Sequence, residues 1–209
     1  MLWLWLVIAG TTRPPPPGFV EVQALAPTIR IAPGYASKDN FTGAVLPGYG
    51  EAGAWLRRQA AEALAQVQRD LAAQRLGLLV YDAYRPVRAT QAMKAWALRE
   101  HKLDLFKQGY IASKSGHNHG HTVDLTLVNL ADGTPLDMGT PWDTLDERAN
   151  TENATGEVLK RRHLLKAAML KRGFRPYAKE WWHFTFVMPA TEPVDVPYGC
   201  LEPPVCSDR

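Results

Sequence analysis

Two hydrophobic periodicities divide this chain. Over residues 53–75, Leu56, Ala60, Ala63, Leu64, Val67 and Leu71 recur at helical spacing, with Arg57, Arg58, Glu62 and Arg69 off that stripe. The segment predicts an amphipathic helix. Residues 76–83 form a short apolar run with Gly77 at its start, which predicts a strand. Pro86 then opens a second helix over 87–101, a position where its missing N–H costs nothing. The residue before a proline is pushed out of the helical region, so Arg85 should stand at the strand-to-helix junction. Residues 122–128 alternate, with Val123, Leu125 and Leu127 on one face and Thr122, Asp124 and Thr126 on the other. A third helix is expected over 154–172. Val158, Leu165, Ala168 and Met169 lie near one face, basic residues fill its last turn, and Gly173 follows as a C-cap. Residues 182–187 form a last strand, with His183 and Thr185 opposite Trp182, Phe184 and Phe186.

The segments between are punctuated by turn formers. Residues 19–32 carry β-type side chains broken by Pro27, consistent with short strands or extended chain. Residues 33–50 and 129–152 are rich in Gly, Pro, Asn and Asp and read as long loops, which in a compact domain are often functional. Residues 102–116 are a polar connection, and no internal repeat is visible. The pattern predicts an α+β fold: a small, mostly antiparallel sheet with helices packed against it. The domain plan is a signal-like apolar segment with a Pro-rich spacer (1–18), one domain (19–190) and a C-terminal tail (191–209).

Composition narrows the function classes. The 209 residues are 46% hydrophobic and 22% charged, the profile of a globular protein with a sizeable core. A net charge of +3 without a basic run interleaved with aromatics argues against nucleic acid. Residues 1–9 are apolar but too short to span a bilayer, which takes roughly 20 residues, so no stable membrane insertion is expected. They match the length of a signal-peptide core, and Val7-Ile8-Ala9 offers small residues where a signal peptidase would cut, although no Lys or Arg precedes the run. Cys200 and Cys206, close together in a Pro-rich tail, suit a disulfide in an oxidising compartment. Both features point to a periplasmic or secreted protein, with the cytoplasm as the alternative.

The candidate chemistry lies in Ser115-Gly116-His117-Asn118-His119-Gly120-His121-Thr122-Val123-Asp124 and, far downstream, in Glu180-Trp181-Trp182-His183. Two neutral imidazoles and a carboxylate with one position open make a catalytic zinc site. An aspartate on a buried strand needs a cation or several donors, because an unpaired buried carboxylate is prohibitively costly. If the polar faces of the two strands meet, Asp124 and His183 become two ligands, and the loop before Asp124 supplies the third. His117, His119 and His121 can each ligate, and chemistry alone leaves the choice open. Glu180 and His183 are three apart, so an extended chain would face them opposite ways. Glu180 is therefore expected to enter from the turn before the strand, as a general base beside one zinc ion held between sheet and loops.

These motifs resemble the signature of the zinc D-Ala-D-Ala peptidases, and most closely the VanX-type D-alanyl-D-alanine dipeptidases. The likeness extends to Thr28-Ile29-Arg30, Asn40-Phe41-Thr42-Gly43, Tyr81-Asp82-Ala83-Tyr84-Arg85-Pro86, Asp137-Met138-Gly139-Thr140-Pro141-Trp142-Asp143 and Arg161-Arg162-His163-Leu164-Leu165. The resemblance implies His117, Asp124 and His183 as zinc ligands, Glu180 as catalytic base and Arg85 as the group that stabilises the oxyanion. It implies that Asp143 holds the free ammonium of a D,D-dipeptide and that Ser115 contacts the substrate. The chain departs from the family in carrying Ala83 where glycine is usual, and histidines at 119 and 121. The implied activity is hydrolysis of D-Ala-D-Ala in wall turnover or glycopeptide-type resistance. A D,D-carboxypeptidase or peptidoglycan endopeptidase on the same scaffold, or a zinc-binding module without catalysis, are the competing readings.

Overall fold

The computed structural model describes residues 13–112 and 114–199. The apolar segment at residues 1–9 and the cysteine pair lie outside the described residues. Five strands form the main sheet in the order β2 (Arg30–Ile31), β4 (Leu76–Asp82), β5 (Thr122–Asn129), β7 (Glu180–Phe186) and β6 (Phe174–Tyr177). Every pairing is antiparallel except β2 with β4, which run parallel. A separate antiparallel pair joins β1 (Phe19–Glu21) to β3 (Trp55–Arg57). The fold is the expected α+β class, with one parallel edge pair in an otherwise antiparallel sheet.

Helices follow the apolar stripes, with altered ends. The helix expected over 53–75 begins later, because residues 55–57 form β3; α2 spans Arg58–Ala72. Its Leu64, Val67 and Leu71 join the core cluster with Leu78 and Val80 of β4 and with Val123, Leu125 and Leu127 of β5. The apolar parity of β5 therefore faces the helices. The helix α3 (Val87–Arg99) starts one residue after its N-cap Pro86, and α5 (Gly156–Lys171) contributes Leu165 and Met169 to the same core. Gly173, at φ +86°, turns the chain out of α5 into β6, a left-handed step that glycine takes without steric cost. Two helical turns have no apolar stripe long enough to announce them: α1 (Val22–Leu25) and α4 (Asp104–Lys107).

The opposite face of the sheet, predicted to be polar, is covered rather than open. Thr122, Asp124 and Thr126 are all buried. Connecting segments and helix α3 close over this side, and a second cluster there joins Tyr35, Tyr49 and Tyr84 to Trp55 of β3 and Trp96 of α3. The segment assigned to the tail also packs here. The Val194 N–H donates to the Asn118 carbonyl (2.8 Å), and the Tyr198 hydroxyl donates to the Tyr84 carbonyl (2.7 Å). Among the described residues, no helix is long and apolar enough to cross a membrane.

Candidate metal centre and active site

Strand pairing builds the centre. Asp124 of β5 and His183 of β7 are direct cross-strand partners, so they are neighbours on one sheet face rather than members of two facing surfaces. A register shift between Val80 and Asp82 places Asp82 of β4 opposite Asp124 on the other side. Such a bulge re-aims side chains, and here it adds a second carboxylate to the same face.

The third donor comes from the turn before β5. Residues Gly116–His119 form a 3-10 turn capped by Ser115, whose Oγ accepts from the His117 N–H (3.3 Å). Gly120 ends the turn at φ +75°. The His117 Nδ1 lies 2.7 Å from the Ala83 carbonyl, which can only accept. That bond fixes the proton on Nδ1 and leaves the Nε2 lone pair free.

His117 Nε2 is 3.2 Å from Asp124 Oδ1, and His183 Nδ1 is 3.0 Å from the same oxygen. The ligand atoms of the three residues all lie within 4.8 Å of one another. Despite this proximity, His117 Nε2 and Asp124 Oδ1 are buried without a hydrogen-bond partner. Orphaned buried polar atoms are rare and call for an explanation. Lone pairs that converge on one point without a proton between them fit a metal ion, and the donor set of two imidazoles and one carboxylate suits zinc. Among the three candidate histidines of the loop, the structure brings His117 to this point. His119 and His121 instead bond to the carbonyls of Thr191 and Phe186.

Glu180 differs from the sequence expectation. It begins β7 rather than preceding it, and its Oε2 lies 3.3 Å from His183 Nδ1, so the two share a side. The cause is an irregular register against β6, in which Pro176 pairs with Phe184 but Tyr177 with Glu180. The extra residues on β7 cancel the parity that would have separated them. Burial raises the Glu180 carboxyl to about 7, with the charge of Asp124 adding to the effect and His183 and Arg85 opposing it.

Arg85 stands where the proline rule put it. Its Nε and Nη2 donate to Asp82 Oδ2 at 2.9 and 2.8 Å, and Nη2 is 3.9 Å from Asp124 Oδ2. The backbone is locked in both directions. The Arg85 N–H donates to the His117 carbonyl (3.2 Å), and the Asn118 side chain donates to the Arg85 carbonyl (2.8 Å). Asp82 also accepts from the Tyr49 hydroxyl (2.5 Å) and lies 3.3 Å from His117 Nδ1.

Arg85, His117, Asp124, Glu180 and His183 line a cavity of about 420 Å³, together with Ser115, Asp143 and Tyr35. Asp143 has φ +65°, a strained value for a residue with a side chain. Its Oδ1 accepts from the Tyr35 hydroxyl (2.9 Å), while Oδ2 is buried and unpartnered. Burial drives its carboxyl well above the usual range, the Tyr35 bond opposes that rise, and the charge of Asp124 adds to it. Every predicted site residue thus meets at one cavity.

Sequence reasoning missed Tyr35, Asp82 as a shared anchor, Trp142 and Arg162. Trp142 Nε1 donates weakly to Asp124 Oδ2 (3.4 Å). Arg162, buried on α5, donates to the carbonyls of Met138, Arg148 and Asn150 and so ties down the loop that carries Asp143. Its signals were its place in the likeness over residues 161–165 and a basic residue among the apolar positions of a helix, neither of which showed what it holds.

Comparison with known proteins points the same way. A family model described as D-ala-D-ala dipeptidase matches residues 16–202. A D-alanyl-D-alanine dipeptidase of Enterococcus faecium is 32% identical over 182 residues, covering 80% of this chain and 90% of that protein. The protein of the same name from Enterococcus faecalis is 33% identical, covering 81% and 92%. That from Streptomyces coelicolor is 34% identical, covering 80% and 90%.

Proposed function

The chain belongs to the D-Ala-D-Ala dipeptidase family, and from that membership we propose that it is a zinc peptidase hydrolysing D-Ala-D-Ala to two molecules of D-alanine. The observation that carries this reading is the convergence of His117 Nε2, Asp124 Oδ1 and His183 Nδ1, two of them orphaned, beside a carboxyl raised to about 7. His117, Asp124 and His183 hold the ion. When bound, zinc supplies Lewis-acid polarisation of the peptide carbonyl and lowers the pKa of water beside it.

The chain's own groups supply the rest. Glu180, beside the metal ligands at 3.3 Å from His183, accepts the proton of the attacking water and passes it to the leaving amine nitrogen. Arg85 is buried and clamped by Asp82, so its guanidinium cannot swing away from charge developing on the carbonyl oxygen. A preorganised donor of that kind contributes on the order of 10²–10³ in rate. Asp143 takes the substrate ammonium. Burial disfavours its charge, a cation beside the unpartnered Oδ2 restores it, and Tyr35 fixes the group from the other oxygen. Ser115 spends its acceptor on the His117 N–H and keeps its hydroxyl proton for the substrate.

Asp143 is also what favours a dipeptidase over a carboxypeptidase, because a chain extended at the amine would bury an uncharged amide against it. Glu180 and Arg85 at the centre favour catalysis over a binding module. The signal-like segment and the cysteine pair support an exported enzyme that recovers D-alanine from wall turnover. The N-terminal sequence of the mature protein from its native host tests that placement.

The deciding experiment compares free D-Ala-D-Ala, N-acetylated D-Ala-D-Ala and a longer peptide ending in D-Ala-D-Ala, with and without chelator. Turnover of the free dipeptide alone, abolished by chelation and by Glu180→Ala with zinc still bound, is expected. Preference for the longer peptide would replace the dipeptidase reading, and zinc binding without any hydrolysis would reject catalysis.

A further inference from the structure

The turn that delivers His117 carries two more imidazoles that the proposed reaction does not use. Neither His119 nor His121 lines the catalytic cavity. His119 Nδ1 lies 2.6 Å from the Thr191 carbonyl and His121 Nδ1 lies 3.2 Å from the Phe186 carbonyl. A carbonyl only accepts, so in the neutral ring each Nδ1 carries the proton and each Nε2 presents a lone pair. This is the arrangement that prepares His117 through the Ala83 carbonyl, and it is the usual support of a metal-ligating histidine.

The two rings are also neighbours. Their centroids are 5.7 Å apart at an interplanar angle of 55°, against 5.0 Å and 74° for His117 and His183. Two imidazoles on one ion, with metal–nitrogen distances of about 2.0–2.1 Å, have centroids between roughly 4.5 Å for cis and roughly 6.5 Å for trans ligands, so the pair is within reach of a single ion. The pair is half-buried, and among the described residues neither ring has a carboxylate partner. The Thr191 hydroxyl, on the residue whose carbonyl holds His119, is buried and unpartnered.

We propose that His119 and His121 form a second metal site, separate from the catalytic centre, for a borderline divalent transition ion such as Ni²⁺ or Cu²⁺. Imidazole donors without carboxylate or thiolate select this class over Ca²⁺ or Mg²⁺. With two protein ligands the remaining positions go to water, so the ion exchanges readily while the three-ligand centre keeps its own. The ion clips the end of the 3-10 turn to the start of β5 across Gly120, next to the residue chain that sets His117.

The test uses tag-free full-length protein loaded with one zinc per chain, dialysed against Ni²⁺ and analysed for both metals. Wild type should hold one nickel in addition to its zinc, and His119→Ala and His121→Ala should each lose the nickel while keeping the zinc. The retained zinc shows that each variant is folded. With Cu²⁺ as probe, the electron paramagnetic resonance spectrum of wild type should show coupling to two imidazole nitrogens, and that of either variant should not. Wild type that binds no second ion overturns the proposal. So does a second ion that survives both substitutions, or one lost instead on replacing the surface histidines His101 and His163.

Discussion

Replacing Arg162 with methionine tests whether the substrate end of the cavity is held from behind. The side chain is 1% exposed, and its guanidinium donates to the carbonyls of Met138 (2.8 Å), Arg148 (3.2 Å) and Asn150 (2.7 Å). Methionine fills a similar volume but donates nothing. Three carbonyls then lose their partner, at about 1 kcal/mol each, while relief of the guanidinium's own burial offsets the charge-assisted excess. The net loss is about 3 kcal/mol. In a chain of this size 1 kcal/mol shifts Tm by about 2–4 °C, so thermal unfolding of Arg162→Met should begin about 6–12 °C lower. The three carbonyls bracket Asp143, so loosening them should raise KM for the free dipeptide more than it lowers kcat. Arg162→Lys, with one ammonium for three acceptors, should fall between. A Tm within about 2 °C of wild type, together with an unchanged KM, would show that the loop is held by something else.

Asp82→Asn removes the charge that clamps Arg85 and faces His117, so kcat should fall about 10²-fold or more while bound zinc persists; a kcat within twofold refutes the clamp. Gly120→Ala asks an L-residue to adopt φ +75°, at about 1–2 kcal/mol, and its Cβ would sit 2.0 Å from the Phe19 ring. Lower Tm and faster zinc loss on dialysis are expected, and unchanged zinc retention would show that the turn does not set His117. Asp70 bridges α2 to α5 through Arg172 and Lys171, which together hold its carboxyl down at about 2. A depressed carboxyl stabilises the fold above its unfolded value of about 4 and loses that effect as pH falls through 2. Urea midpoints of wild type and Asp70→Asn should therefore differ at pH 7 and converge near pH 2; a constant gap contradicts the assignment.

The parts of this fold that could be read in the sequence are those governed by local periodicity. The stripe of α2, the alternation of β5 and the proline at the start of α3 each survive in the structure because every position repeats the same instruction. The candidate ligands were legible for another reason. A buried aspartate beside clustered histidines is costly without a cation, which marked the stretch, but the choice of His117 over His119 and His121 rested on the family resemblance. What stayed hidden depends on exceptions to period. The bulge before Asp82 and the irregular start of β7 each reverse a parity, and no single side chain marks either. Tyr35 sits in a Gly- and Pro-rich loop and meets Asp143 across a separation of 108 residues, a pairing that only the folded chain creates.

The same hidden contacts explain how a sheet with a polar face comes to be buried on both sides. Thr122, Asp124 and Thr126 would be satisfied by water if that face stayed open, and a metal centre built there would have no enclosed cavity. Helix α3 covers part of it, and loops cover the rest, where donors must reach inward at irregular spacing. Long loops lose more conformational freedom than they regain from apolar packing. Each loop here is accordingly tied by a buried polar anchor: Tyr35 to Asp143, Arg162 to three carbonyls, Tyr49 and Arg85 to Asp82. Two of these anchors, Tyr35 on Asp143 and Asp82 on Arg85, hold groups that line the cavity, and Arg162 holds the loop that carries Asp143. Stability of the covering layer and alignment of the reactive residues are therefore one property. Substitutions at Arg162 or Asp82 should change Tm and kinetic constants together, whereas one at Asp70, far from the cavity, should move Tm alone.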